Sequence, residues 1–325
     1  MSRKGRKHIN TIKEDLEALV DKRLHWTLLT LPILGIVIFT ILPLVFMICM
    51  AFTSYSKVGD HLTIFHWVGL KNFSTVLGMG NSIGKTFWSV LGWTLIWAVL
   101  ATFLNYILGM ILAIVINRKT TRIKGFWRFC FMLSAAIPQF VSLLLMRTML
   151  KDNGLINNLL VQAGLISSPL PFLTNATWAR ATVVIINLWV GIPFTMMQVT
   201  GILQNIPGEL YEAARVDGAG PVTIFFKITL PYMLFVTTPY LITTFTGNIN
   251  NFNVIYLLTA GAPVPVGATA GKTDLLVTWL YKLTVDLQYF NVGAVVGILT
   301  FVILAVVSLI TYRNTGSYKN EEGFQ

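Results

Sequence analysis

Residues 86–117 read TFWSVLGWTLIWAVLATFLNYILGMILAIVIN, with no acidic or basic side chain anywhere in the run. A helix needs about 20 mostly apolar residues to cross the hydrocarbon core of a bilayer, and this run exceeds that length. Working outward, charge is absent again from 24–56, 129–146, 181–208, 228–271 and 287–312, each of which holds a span or most of one. Charged residues make up 11% of the 325 positions and hydrophobic residues 55%. Soluble domains carry about a quarter charged residues, so a soluble fold is excluded. The reading is an all-α polytopic membrane protein with six transmembrane helices. A further charge-free stretch, 153–179, contains Asn153, Asn157, Asn158, Ser167, Ser168, Pro169, Pro171 and Asn175. Such a segment would leave backbone groups unpaired in lipid, so an external loop is expected there.

The net charge is +11, but its placement points to topology rather than to nucleic acid. Lys and Arg cluster at 3–23 and at 118–128. With a cytoplasmic N-terminus, six spans put that terminus, the 118–128 loop, the 205–231 loop and the C-terminal tail on one side. That side then holds 16 of the 24 basic residues, which is the positive-inside bias. The chain divides into a basic cytoplasmic segment at 1–25, a first helix at 26–53, an external loop at 54–86, a transmembrane domain at 87–312 and a cytoplasmic tail at 313–325. The first helix is expected to be an uncleaved anchor, and Ile12, Leu16, Leu19 and Val20 give the leading segment an amphipathic face. Later spans are expected at 87–117, 128–149, 181–204, 233–257 and 291–312. Phe87, Trp88, Trp93 and Trp97 are expected to anchor the second span at the interface. Cys49 and Cys130 fall in different spans and read as small packing residues, not as a disulfide.

Between the fourth and fifth spans the chain runs Asn205-Ile-Pro-Gly-Glu-Leu-Tyr-Glu-Ala-Ala-Arg-Val-Asp-Gly-Ala-Gly. Asn205 and Pro207 are helix-start residues, Glu209 and Glu212 sit in the early turns, and Gly218 can end a helix with positive φ. A short helix, a glycine turn and a second short helix before Pro231 are expected on the cytoplasmic side. Ala213 and Ala214 leave one face bare for a partner's close approach.

Glu212-Ala213-Ala214, then Gly218, then Ile228-Thr229-Leu230-Pro231 meet a fixed pattern of spacings. This resembles the EAA loop of type I ABC importer permeases, which inserts into a cleft of the nucleotide-binding subunit. The resemblance implies a MetI-like permease fold in a bacterial cell membrane. It makes Glu212, Ala213, Ala214, Gly218, Ile228, Leu230 and Pro231 the ATPase-coupling residues. It also implies the partners: a second permease subunit, two copies of an ABC ATPase subunit and an extracytoplasmic sugar-binding protein. The chain has no phosphate-binding Gly-rich Lys-Ser/Thr loop, so it is expected to bind no cofactor itself, with ATP and Mg held by the ATPase and the chain itself no enzyme.

Asparagines inside a span are expensive in lipid and should face a protein interior or a water-filled path. Thr244, Asn248 and Asn251 fall on one stripe, and Asn187, Gly191 and Phe194 on another. Amides, hydroxyls and an aromatic face suit a neutral polyhydroxyl ligand, while helix-to-helix hydrogen bonding remains the alternative use of the same amides. Asn187–Phe194, Thr244–Phe252 and Ala270–Tyr281 look like the sugar-contacting stretches of maltose permease subunits of the MalF type, a similarity covering most of 85–315. By that resemblance Asn187, Val190, Gly191, Phe194, Thr244, Gly247, Asn248 and Asn251 are the substrate-binding positions. Val190 stands there for a leucine, Phe194 for a tyrosine and Gly247 for a phenylalanine, so galacto-oligosaccharides compete with maltodextrins as cargo. A secondary transporter would not need the loop pattern. An intramembrane enzyme would need catalytic groups, yet His8, His25, His61 and His66 all lie outside the spans.

Overall fold

The computed structural model describes residues 24–313 except 25, 27, 59, 60, 64, 65 and 119. The amphipathic face at Ile12, Leu16, Leu19 and Val20, His8, His25 and the tail beyond 313 lie outside the described residues. Among the described residues, five helices are long and apolar enough to cross a bilayer: Leu28–Ala51, Ser82–Asn117, Ala176–Asn205, Pro221–Thr259 and Phe290–Arg313. They are the first, second, fourth, fifth and sixth spans.

The third span differs from its expected single helix at 128–149. Lys124–Ala136 and Gln139–Met149 meet at 83°, and only together do they amount to a sixth span. The cause is Pro138, which has no N–H to donate and pushes the residue before it out of the helical region. Ile137 is accordingly extended at φ −81° and ψ 130°, and Pro138 follows at φ −53° and ψ 128°.

Other prolines are absorbed without a break, Pro193 and Pro239 inside continuous α-helices and Pro43 and Pro231 behind wider turns. Wide π-helical turns at Val37–Ile41 and Phe225–Thr229 lie just before Pro43 and Pro231. A wider turn draws the carbonyl four residues back away from the proline ring. Pro231 is therefore not the start of the fifth span: the second short helix of the loop begins at Pro221 and runs on through Pro231 to Ile249. This span is interrupted at Asn250 and Asn251 and restarts as Phe252–Thr259.

The second span runs through all three apolar clusters of the core. Phe87 and Val90 belong to one, Trp93, Trp97 and Ala101 to the next, and Tyr106, Met110, Ala113 and Ile116 to the last. Spacings of three and four residues, with one of five across the π-helical turn at Leu100–Leu104, keep them on one helical face. The expected interfacial belt is thereby corrected, because Phe87, Trp93 and Trp97 are buried and only Trp88 is exposed. Buried indoles need an acceptor; Trp93 Nε1 donates to the Thr273 carbonyl at 3.2 Å and Trp97 Nε1 to that of Asn248 at 3.1 Å. The first span, in contrast, turns Leu, Ile and Phe side chains outward along its length. Cys49 and Cys130 are free and exposed rather than packed inside.

Short elements fill the connections. The 54–86 segment holds a hairpin, Ser56–Val58 with His61–Thr63, and a helix, Lys71–Leu77. The 153–179 segment holds the helix Leu155–Gln162, whose Asn157 donates to the carbonyls of Lys151 and Leu170 and accepts from the Leu170 N–H. Its amides thus satisfy loop backbone.

Candidate substrate cleft and coupling loop

A cleft of about 420 Å³ opens where the third span breaks. Asn187, Val190, Gly191 and Phe194 line it from the fourth span, and Thr244 and Asn248 from the fifth. Six of the eight expected substrate positions thus share one cavity. Gly247 is exposed, with open space where a Cβ would stand, and does not line it. Asn251 is also outside: its Oδ1 accepts from the Val254 N–H at 3.3 Å and caps the restarted helix. Asn248 and Asn251 therefore do not continue one helical stripe, since the cap interrupts it. They remain linked by an Asn251 Nδ2 to Asn248 Oδ1 hydrogen bond of 3.4 Å.

The two central amides differ in use. Asn248 ties helices together, its Nδ2 donating to Thr102 Oγ1 at 3.0 Å while its carbonyl receives Trp97. The side-chain carboxamide of Asn187 has no hydrogen-bond partner among the described residues, which leaves it for an occupant of the cleft. Phe194 is 54% exposed and offers a ring face. No charged side chain lines the cavity. Its amides, hydroxyls and aromatic ring can bind a neutral ligand.

Several lining residues are not among the positions expected from the sequence. Ser134, Gln139 and Ser142 come from the two halves of the broken third span, and Tyr240 from the fifth. Asn105 of the second span donates through Nδ2 to the Ala101 carbonyl at 2.7 Å, and its buried Oδ1 has no partner among the described residues. A Cβ at Gly191 would stand 2.7–2.9 Å from the Asn105 carboxamide, so only glycine lets the two spans close here. Asn105 carries the same signal as Asn187, an amide in a charge-free span, and Pro138 marks the break.

In the loop between the fourth and fifth spans, Gly208–Val216 forms a helix with Glu209 in its first turn and Arg215 in its last, the sense that suits the helix dipole. Gly218 follows at φ +78°. The Ala219 N–H reaches the Ala214 carbonyl at 2.8 Å and the Gly218 N–H that of Arg215 at 3.0 Å, the paired bonds of a Schellman ending. Tyr211 OH meets Thr229 Oγ1 at 3.2 Å and joins this helix to the start of the fifth span. Glu212, Ala213, Gly218 and Pro231 are exposed, and Ala214, Ile228 and Leu230 are half-buried. Val216, Val222 and Phe226 add exposed apolar surface around them.

Residues 105–315 match the family described as the binding-protein-dependent transport system inner membrane component. The chain belongs to that family. It is a multi-pass membrane permease with the type I ABC importer fold. Among its relatives are the galactooligosaccharides transport system permease protein GanP and the maltodextrin transport system permease protein MdxF of Bacillus subtilis. GanP is 36% identical over 319 residues, spanning 97% of this permease and 75% of GanP. MdxF is 36% identical over 329 residues, spanning 97% and 74%. The maltose/maltodextrin permease MalF of Escherichia coli is 35% identical over 253 residues, spanning 76% of this permease and 49% of MalF. A chain of a bacterial ABC transporter that imports alginate shares the fold with a TM-score of 0.70, at 23% identity over 92% of this permease and 97% of that chain.

Proposed function

We propose that this permease is one of two membrane-spanning subunits of an ATP-driven oligosaccharide importer, with maltodextrin as its cargo. The observation that carries this reading is the uncharged cleft in which Asn187, Val190, Gly191, Phe194, Thr244 and Asn248 meet. Its volume falls in the range typical of small-molecule sites. A sugar ring against Phe194 and hydroxyls against Asn187 and Thr244 would use what the cavity offers. Gly247 and Asn251 lie on the fifth span beyond it and would meet the sugar on its way in or out.

In this reading the termini and the 205–231 loop are cytoplasmic. Glu212, Ala213, Ala214, Gly218, Ile228, Leu230 and Pro231 form the surface that docks one of two ABC ATPase subunits. Those subunits hold ATP and Mg and hydrolyse the ATP; this chain holds neither. Their motion would be passed on by the Gly208–Val216 helix moving as a rigid body. A second permease completes the path, and an extracytoplasmic sugar-binding protein delivers the cargo. Galacto-oligosaccharide import is the second reading, supported by an identity to GanP equal to that for MdxF.

The test is Phe194→Ala in the reconstituted importer. Loss of one stacking face removes about 0.5–1.5 kcal/mol, so the sugar concentration for half-maximal uptake should rise roughly 2- to 10-fold with assembly intact. Unchanged uptake would sink the assignment of the cleft.

A further inference from the structure

At the end of the bundle opposite Gly208–Val216, a second cleft of about 470 Å³ lies between the starts of the second and fourth spans and the loop that precedes Leu276–Tyr281. Lys85, Arg180 and Lys272 line it. The acidic residue in its wall is already engaged. Asp274 is buried, and its carboxylate accepts from Lys282 Nζ at 2.6 Å, the Gly271 N–H at 2.6 Å and the Thr278 hydroxyl at 2.9 Å. Three cations thus share a cleft whose lining offers no free counter-charge. The placement runs against the topology, because the orientation read from charge leaves only eight basic residues for this end, where positive charge is disfavoured.

Arg180 is held in place. Its guanidinium lies 4.4 Å from the centroid of the Trp93 ring, and its Nε donates to the Lys272 carbonyl at 2.8 Å. The terminal nitrogens have no partner among the described residues. A planar guanidinium fixed on one face and one edge presents its remaining N–H groups as a fork matched to a carboxylate. Lys85 and Lys272 are exposed and add long-range attraction.

We infer that this cleft receives an acidic side chain of the extracytoplasmic solute-binding protein, with Arg180 as the anchoring fork and Lys85 and Lys272 as steering charges. The inference rests on the importer reading above, and the family's description as binding-protein-dependent names the class of partner. One wall is a connecting loop rather than a lipid-facing helix, which favours a protein carboxylate over a lipid phosphate.

The test measures the Kd of purified, sugar-loaded binding protein for the complete importer in nanodiscs, with and without phosphatidylglycerol. The double variant Lys85→Glu, Lys272→Glu changes exposed positions only, and its assembly is checked by size-exclusion chromatography. Its Kd should rise on the order of tenfold in both lipids, with a flatter salt dependence than wild type. Arg180→Lys keeps the charge and removes the fork, and should weaken binding as well. An unchanged Kd in the double variant overturns the inference, as does a change that appears only with phosphatidylglycerol. A wild-type importer that binds no sugar-loaded protein overturns the importer reading itself.

Discussion

Replacing Gly218 with alanine isolates one physical cause at the loop proposed to meet the ATPase. Gly218 sits at φ +78° and closes the Gly208–Val216 helix through two backbone bonds. A Cβ built there meets nothing within 4 Å, so alanine displaces no neighbour. What remains is the backbone penalty for an L-residue in the left-handed region, about 1–2 kcal/mol. That energy corresponds to roughly a 5- to 30-fold change in an equilibrium. The affinity of the ATPase subunit for Gly218→Ala should fall by that factor, since the docked loop must hold the turn. Asparagine tolerates the left-handed region better than other L-residues, so Gly218→Asn should keep most of the affinity. Valine is β-branched and should lose the most. The assay is titration of detergent-solubilised permease with the ATPase subunit, backed by sugar-stimulated ATP turnover. Alanine binding as well as wild type, or asparagine binding no better than alanine, would refute the argument from backbone conformation.

Two further changes probe the packing around the sites. Gly191→Ala drives a Cβ to within 2.7–2.9 Å of the Asn105 carboxamide, an overpacking that costs about 1–3 kcal/mol. Uptake should fall, and adding Asn105→Ala should restore part of it; a double variant no better than the single would locate the clash elsewhere. Asp274 is fully buried and its Lys282 partner is 13% exposed, at 2.6 Å. Removing one partner leaves a buried charge unpaired at a cost of about 3–5 kcal/mol, so Lys282→Met should lower the unfolding temperature sharply. Asp274→Asn with Lys282→Met should be milder than Lys282→Met alone, and an additive loss would contradict that.

Charge-free runs located the spans because the bilayer penalises charge wherever it falls, whatever the tertiary packing. The break in the third span is subtler. Hydropathy reads the same across 128–149 whether the chain is straight or bent, and Pro43 and Pro231 show that a proline in a span need not break it. At Pro138 the preceding residue, Ile137, leaves the helical region, and the two halves diverge. Aromatic residues misled in the opposite direction. Phe87, Trp93 and Trp97 fit an interfacial belt by composition, but their spacing puts them on the face that packs inward. The first helix of the loop and its glycine turn were legible almost to the residue, because capping and the Gly218 turn are local chemistry; the second helix was not, since it continues into the fifth span. The cleft was legible only along two of its walls. Asn248 and Asn251 are three apart, yet the Asn251 cap separates them, and a spacing rule has no term for a helix that stops between its two positions. Asn105 is a single amide in an apolar run, and only the close approach of Gly191 reveals what it faces.

The most direct measurement is ATP-dependent uptake of labelled maltodextrin into vesicles carrying this permease with its second permease, its ATPase and its binding protein. Uptake should require ATP and fall when Asn187 becomes alanine, while the assembled complex is still recovered. Uptake of galacto-oligosaccharide in place of maltodextrin would overturn the cargo assignment. Uptake that proceeds without ATP, or that ignores Asn187, would contradict the account as a whole.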